Sequence, residues 1–426
     1  MTQSRNLMQC SRVNFSRLAL AVVAMVVFQP ALTIAADKGY ESPQTLSAAK
    51  ILPPELLSGP RHRVQEKVRN DGYLNIYTID SKAGQLTAVS TAMLRKRVQE
   101  INALAAMEQI EKTSEYAAAI KEAGLGTLAG VKNLVTSPVQ TVKGAASGLG
   151  SAFRRAGDAM SGPKRSEAED SRVKDLIGFS KTKRENAYRF GVDVYTDNKV
   201  VQDRLDEISW AGYAGGLTWS AAMAAIPGGA GLAFSVSEWN KRLNEIFRDT
   251  PPADLRRMNH EKLVKMGVPS EVADLFINNS VYSPRHQTVL VNALDQMTGV
   301  ANRGAFVNFA ALSENANVAL FRQRQAEMYM GYHKKVGPIE SFVPVGGLAA
   351  ARTSSGTLVF NAPLDHQVWT EPMARYITGA NQRVGELSGV TQKQLWVAGT
   401  VSPRARQELE RLGWQVQDQS EARLTE

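Results

Sequence analysis

The last 90 residues constrain the fold most, because five successive segments alternate between a hydrophobic period of two and one of 3.6. Thr357–Asn361 (TLVFN), Gln394–Ala398 (QLWVA) and Trp414–Gln417 read as strands, with Pro372–Val384 and Pro403–Leu412 as helices between them. Strands alternating with helices of this length specify a parallel sheet with crossover helices. Residues 336–426 are therefore expected to form a small C-terminal α/β unit.

Further upstream the pattern changes. Tyr73–Ile79 and Leu86–Val89 read as two short strands joined by the turn Ser81-Lys82-Ala83-Gly84, which is a hairpin signal. Ser90 or Thr91 would then cap a long helix presenting Leu94, Val98, Ile101 and Ala105 on one face. Residues 37–60, rich in Ser, Pro and Ala, read as an irregular leader, so 37–123 is expected to be a leader followed by a hairpin-plus-helix unit. Residues 176–335 are mainly helical in pattern. The expected class is α+β, mainly helical: an N-terminal β-hairpin plus long helix, a helical middle, and the C-terminal α/β unit.

At the start of the chain, Arg5, Arg12 and Arg17 precede an apolar core, Leu18–Phe28, and Thr33-Ile34-Ala35-Ala36 offers small residues before Asp37. This is the arrangement of a secretory signal peptide over residues 1–36. The core is 11 residues long, well short of the ~20 a membrane span needs. Its removal takes away Cys10, the one cysteine of the chain, and with it thiol chemistry and disulfides. The expected location is the periplasm or cell envelope of a bacterium.

Residues 124–175 are punctuated by glycine and carry most of the basic excess. Lys132, Lys143, Arg154 and Arg165 fall 11 residues apart, preceded in three cases by Val131, Val142 and Phe153. Eleven residues make three turns of helix, so each series would keep to one line. No acidic residue occurs between Glu122 and Asp158, and with Arg155 and Lys164 the stretch 123–165 has a net charge of +5, against +9 for the whole chain. Each such cation near an anionic lipid surface contributes about 1 kcal/mol. The stretch reads either as a basic amphipathic segment, with Lys132, Lys143, Arg154, Arg155 and Arg165 contacting membrane, or as a flexible linker ending in the charged run Pro163–Lys174. Nucleic acid is not an expected partner, since no aromatic residues interleave the cations for base stacking.

Ile208–Ser237 has no charged residue over 30 positions, but it holds eight alanines, six glycines and Pro227-Gly228-Gly229. That composition fits a buried helical hairpin better than a span, with a membrane-inserting hairpin as the alternative. Gly212 and Gly216 have the spacing of closely packed helix pairs.

Conventional catalytic motifs are lacking. His62, His260, His286, His333 and His366 do not pair at helical metal-ligand spacing, and no cofactor or metal site is expected. The weak candidates lie in the two loops that follow parallel strands, where α/β units bind ligands. Asp365 and His366 follow the first, and Thr400, Ser402 and Arg404 follow the second. An Asp–His pair suits acid–base work, and a helix N-terminus beside Arg404 suits an anion. Ser402-Pro403 is equally an ordinary helix start.

The leading expectation is thus an exported, non-catalytic envelope protein in peripheral contact with an anionic membrane surface. One alternative is a periplasmic enzyme or ligand-binding protein working around Asp365, His366 and Arg404. Another is an assembly or scaffolding protein with a protein partner.

Overall fold

Tyr77 and Ile79 are fully buried while Ile76 and Thr78 are only partly so, the period-two alternation of a half-covered strand. They belong to the N-terminal part of a computed structural model that describes residues 39–123, 167–218, 220, 238–346 and 348–425. The fold is mixed α+β and mainly helical. The chain divides into two units: one of residues 43–259 with 283–289, the other of 39–42, 260–282 and 290–425.

The N-terminal unit begins with β1 (Thr45–Ser47), α1 (Ala48–Ile51), α2 (Pro54–Leu57), β2 (Ser58–Gly59), β3 (His62–Val64), β4 (Lys67–Asn70), β5 (Asn75–Ser81) and β6 (Gly84–Val89). The expected hairpin is present, with Ser81 paired to Gly84 across Lys82-Ala83. It is part of a larger antiparallel sheet in the order β1-β4-β5-β3-β2, with β6 on the other edge of β5. Residues 43–60 are accordingly not irregular: β1 pairs with β4, and Ala48, Leu52 and Leu56 are buried.

Ser90 accepts a hydrogen bond from Met93 N–H at 3.2 Å and starts α3 (Thr91–Glu111) from a φ of 91°, a strained value for a residue with a Cβ. The expected face of α3 is buried at Leu94, Val98 and Ile101, whereas Ala105 is only partly covered. The opposite side is covered as well: Arg97 and Glu100 are buried and joined at 2.8 Å, with Asp197 completing the pair. Next come α4 (Ser114–Glu122), α5 (Glu167–Phe190), α6 (Lys199–Tyr213), α7 (Glu238–Asp249) and α8 (Pro252–Lys265). The apolar faces of α3, α4, α5 and α6 share one core containing Met107, Ile110, Tyr116, Phe190 and Leu205. Helix α5 and α6 pack closely because Gly178 leaves room for Tyr213, whose ring would stand 2.5 Å from a Cβ there, and Trp210 stacks on Phe179 at 4.8 Å. The charged run expected as linker is helical from residue 167 onward. No helix among the described residues is long and apolar enough to cross a membrane.

The C-terminal unit adds α9 (Ser270–Asn278), α10 (Pro284–Asp295, whose last turns belong here), α11 (Arg303–Ala311) and α12 (Ala316–Lys335). The sheet strands are β7 (Ile339–Val345), β8 (Leu348–Thr353), β9 (Thr357–Ala362), β11 (Gln392–Val397) and β13 (Trp414–Gln417), with the short β10 (His366–Gln367) and β12 (Thr400–Val401) beyond the ends of β9 and β11. Helices α13 (Glu371–Gly385) and α14 (Pro403–Arg411) form the crossovers, and α15 (Glu421–Thr425) closes the chain. The strand order is β13-β11-β9-β8-β7. As expected, β9, β11 and β13 are parallel. The β7–β8 hairpin extends them antiparallel, which makes the sheet mixed. Helix α12 covers one face: Tyr329 Oη donates to Ala349 O at 3.1 Å, and the Tyr332 ring meets Trp396 at 5.5 Å.

Candidate functional site

The parallel strands β9 and β11 end side by side, so the loops that follow them run together at the carboxyl edge of the sheet. A backbone ladder fixes the pairing. Ala398 N–H donates to Ala362 O, Gly399 N–H to Leu364 O, Thr400 N–H to Asp365 O, and Ser402 N–H to Gln367 O, all at 2.8–3.0 Å. The approach is so close that a Cβ on Gly399 would lie 2.0 Å from Asp365 O. Only glycine satisfies that position.

The ladder places four of the five sequence candidates at one edge. His366 Nδ1 and Thr400 Oγ1 are hydrogen-bonded at 2.7 Å, opposite each other in the β10–β12 pair. Burial holds the imidazole below its ordinary pKa, with the negative charge of Glu41 opposing that trend, so the ring is neutral at pH 7. Ser402 caps α14: its Oγ accepts from Ala405 N–H at 3.0 Å, and Pro403 occupies the first turn. Thr370 caps α13 in the same manner through Met373 N–H at 3.3 Å. Arg404 points its guanidinium at Glu408 on its own helix, 2.8 Å away, with its Nη2 3.0 Å from where a Cβ on Gly39 would stand. Asp365 contributes its carbonyl to the ladder.

Glu41 is the residue sequence reasoning missed. Its N–H donates to Trp369 O at 2.8 Å, and its Oε2 accepts from Trp369 N–H at 2.8 Å and from Ser402 Oγ–H at 2.5 Å. One carboxylate is thus clamped to the loop before α13 and to the cap of α14. Charge-assisted bonds of this kind, beside a helix N-terminus, are about twice as strong as neutral ones.

Among the described residues no group of three His, Cys, Asp or Glu side chains is placed to hold a metal ion. The cationic residues Lys132, Lys143, Arg154, Arg155 and Arg165 lie outside the described residues, as does most of the uncharged stretch beyond Thr218. No protein-family model, curated protein or solved structure matches the chain.

Proposed function

We propose that the chain is an exported, non-catalytic protein of the bacterial cell envelope that binds a carboxylate-bearing segment of a partner protein at the carboxyl edge of its C-terminal sheet. The observation that carries this reading is the capture of the Glu41 carboxylate by Trp369 N–H and Ser402 Oγ–H. That carboxylate comes from 328 residues away in sequence, and it occupies the place where α/β units hold ligands. An acidic side chain or a free carboxyl terminus presents the same two oxygens, so Glu41 acts as a tethered occupant that a partner displaces. Ser402 Oγ is engaged in capping and in holding Glu41, which supports binding rather than nucleophilic chemistry. The signal-like segment at residues 1–36 supports export.

The test is calorimetric titration of the mature chain with a short Glu/Ala peptide bearing a free carboxyl terminus, beside its amidated Gln/Ala counterpart. Glu41→Ala vacates the clamp and is expected to bind the acidic peptide at least tenfold more tightly than wild type. Adding Ser402→Ala abolishes the gain. Equal binding of the two peptides, or none by Glu41→Ala, refutes the reading.

A second reading, peripheral attachment to an anionic membrane, is favoured by the acid-free basic register at Lys132, Lys143, Arg154 and Arg165. Several such cations, each contributing about 1 kcal/mol and less as salt rises, suffice for reversible attachment. Co-sedimentation with anionic but not neutral vesicles, lost when the four residues become Gln, is the expected result.

A further inference from the structure

Helix α12 turns one polar-tipped stripe toward the sheet: Arg322, Gln325, Tyr329 and Tyr332, spaced three, four and three apart. Three rungs of the stripe have partners there. Tyr332 meets Trp396, Tyr329 Oη reaches Ala349 O and Val359 O, and Gln325 Nε2 donates to Asn361 O at 2.7 Å. Tyr329 Oη also accepts from Asn361 N–H at 3.4 Å, so Tyr329 and Gln325 both hold the Asn361 end of β9. Arg322 lies one rung farther, about 4.5 Å along the helix at 1.5 Å per residue. Among the groups that act on Arg322 is Tyr376 of α13, the helix that follows β9 and β10.

Arg322 is 6% exposed. Its guanidinium makes one hydrogen bond among the described residues, Nη1 to Gln325 Oε1 at 3.2 Å, and its Nε is buried with no partner. Its Cζ stands 3.6 Å from the centre of the Phe309 ring and 5.4 Å from that of Phe321. The titratable groups that act on it are phenols: Tyr376, Tyr282 and Tyr329. Burial pushes Tyr282 up to about 12 and Tyr329 higher still, so those two stay neutral. The nearby acid of its own helix, Glu327, is paired with Arg324, which also holds Glu421. Burial without a counter-charge lowers Arg322 itself to about 10, still cationic at pH 7. One bond away through Gln325, Asn361 is 1% exposed, and both its Nδ2 and its Oδ1 lack a hydrogen-bond partner.

A buried guanidinium without an anion is among the costliest arrangements a core can hold, and stacking on one ring offsets only part of that cost. Phe309 covers a face of the guanidinium and Gln325 takes Nη1, which leaves the in-plane Nε–Nη2 edge. That edge presents two parallel N–H donors, a fork that matches two oxygens of one anion. We propose that the Nε–Nη2 edge of Arg322 forms a binding site for a small oxyanion, a carboxylate or a phosphate. The site uses none of Glu41, His366, Thr400 or Ser402, so it stands or falls apart from the proposed partner site.

The experiment uses the full mature chain at constant ionic strength, with acetate, inorganic phosphate and chloride as probes. Thermal unfolding is expected to rise in Tm with acetate or phosphate over chloride, and the anion that acts tells carboxylate from phosphate recognition. Arg322→Met, which exchanges an unpaired buried charge for an apolar chain of similar length, is expected to unfold no earlier than wild type and to bind the active anion at least tenfold more weakly. As a readout that needs no variant, the Arg322 Nε–H resonance of the wild-type chain shifts on titration with that anion. The proposal is overturned if neither anion acts on wild type, if Arg322→Met responds as wild type does, or if the Nε–H resonance stays fixed.

Discussion

Glu111, in the last turn of α3, is a carboxylate whose surroundings favour its neutral form. Its Oε2 lies 3.1 Å from Arg204 Nη1, but Glu207 takes the same Nη1 at 3.1 Å. Its Oε1 is buried with no hydrogen-bond partner, and the side chain is 12% exposed. Burial outweighs the attraction of Arg204, Glu207 adds repulsion, and the carboxyl is pushed up from 4.5 to about 7. The unfolded chain releases this proton near pH 4.5, and the native chain keeps it until about pH 7. Stability from this group is therefore complete below pH 4.5 and is lost as pH rises through 7. At 1.36 kcal/mol per pH unit the loss is about 3 kcal/mol.

Glu111→Gln replaces the group by an uncharged isostere that resembles the protonated form. Urea unfolding followed by circular dichroism from pH 4.5 to 8 gives the stability of both chains. The difference, variant minus wild type, is expected to grow by about 3 kcal/mol across pH 4.5–7 and to be flat outside that window. Taking the difference cancels the titrating groups that do not interact with Glu111. Curves that stay parallel within about 0.5 kcal/mol would show that Glu111 is ionised in the native state at pH 5, and that one shared arginine is enough to hold two buried carboxylates.

His286 titrates in the opposite sense: burial, with Asp193 opposing it, lowers the ring from 6.5 to about 4, so its contribution is present above pH 6.5 and lost as pH falls toward 4. His286→Gln removes about 3 kcal/mol of that acid sensitivity in the same unfolding assay, so the slopes of Glu111 and His286 nearly cancel in wild type. Glu100, 1% exposed, accepts from Arg97 and Asn198 at 2.8 and 2.9 Å and from Thr196. Glu100→Ala leaves Arg97 with Asp197 as its carboxylate partner but strips the buried Asn198 and Thr196 donors of their acceptor, and is expected to cost about 1–3 kcal/mol. Gly399→Ala forces Asp365 away from a Cβ that would lie 2.0 Å from its carbonyl, and is expected to cost at least about 2 kcal/mol. Loss of the His366–Thr400 hydrogen bond in that variant is read from the imidazole resonances.

The parts of the fold that were legible in sequence are those where local signals agree with tertiary context. In the C-terminal unit, Thr370 and Ser402 precede Glu371-Pro372 and Pro403, and both caps form where the sequence places them. The β7–β8 hairpin escaped because its residues argue against it. Pro344 interrupts Ile339–Val345, which is tolerated because β7 is the edge strand. The run Leu348–Thr353 is rich in alanine, a helix former, yet Ala349, Ala350 and Ala351 are buried in the sheet. Tyr329 reaches Ala349 O there, a contact that small side chains make room for and that no local propensity reports. The short strands before Asn70 hold two to four residues each, too few to show a period.

The site divides along the same line. Strand polarity alone places Asp365, His366, Thr400 and Ser402 at one edge, because the loop that leaves each parallel strand lies at the carboxyl edge of the sheet. Which chemistry that edge carries is decided by groups with no local signature. Glu41 sits in a stretch whose composition reads as irregular, and its partners Trp369 and Ser402 lie 328 and 361 residues away. Arg322 belongs to a sequence, Arg322-Gln323-Arg324-Gln325, that reads as a solvated helical face. It is Tyr329 and Tyr332, spaced to share a face with Arg322, that commit that face to the sheet and carry the guanidinium inward with it. A charged side chain in register with aromatic residues on one helical face is thus the sequence signal to look for. Its meaning depends on whether an acid follows it inward: Arg97 has Glu100 three residues along, and Arg322 has Gln325 in the same place.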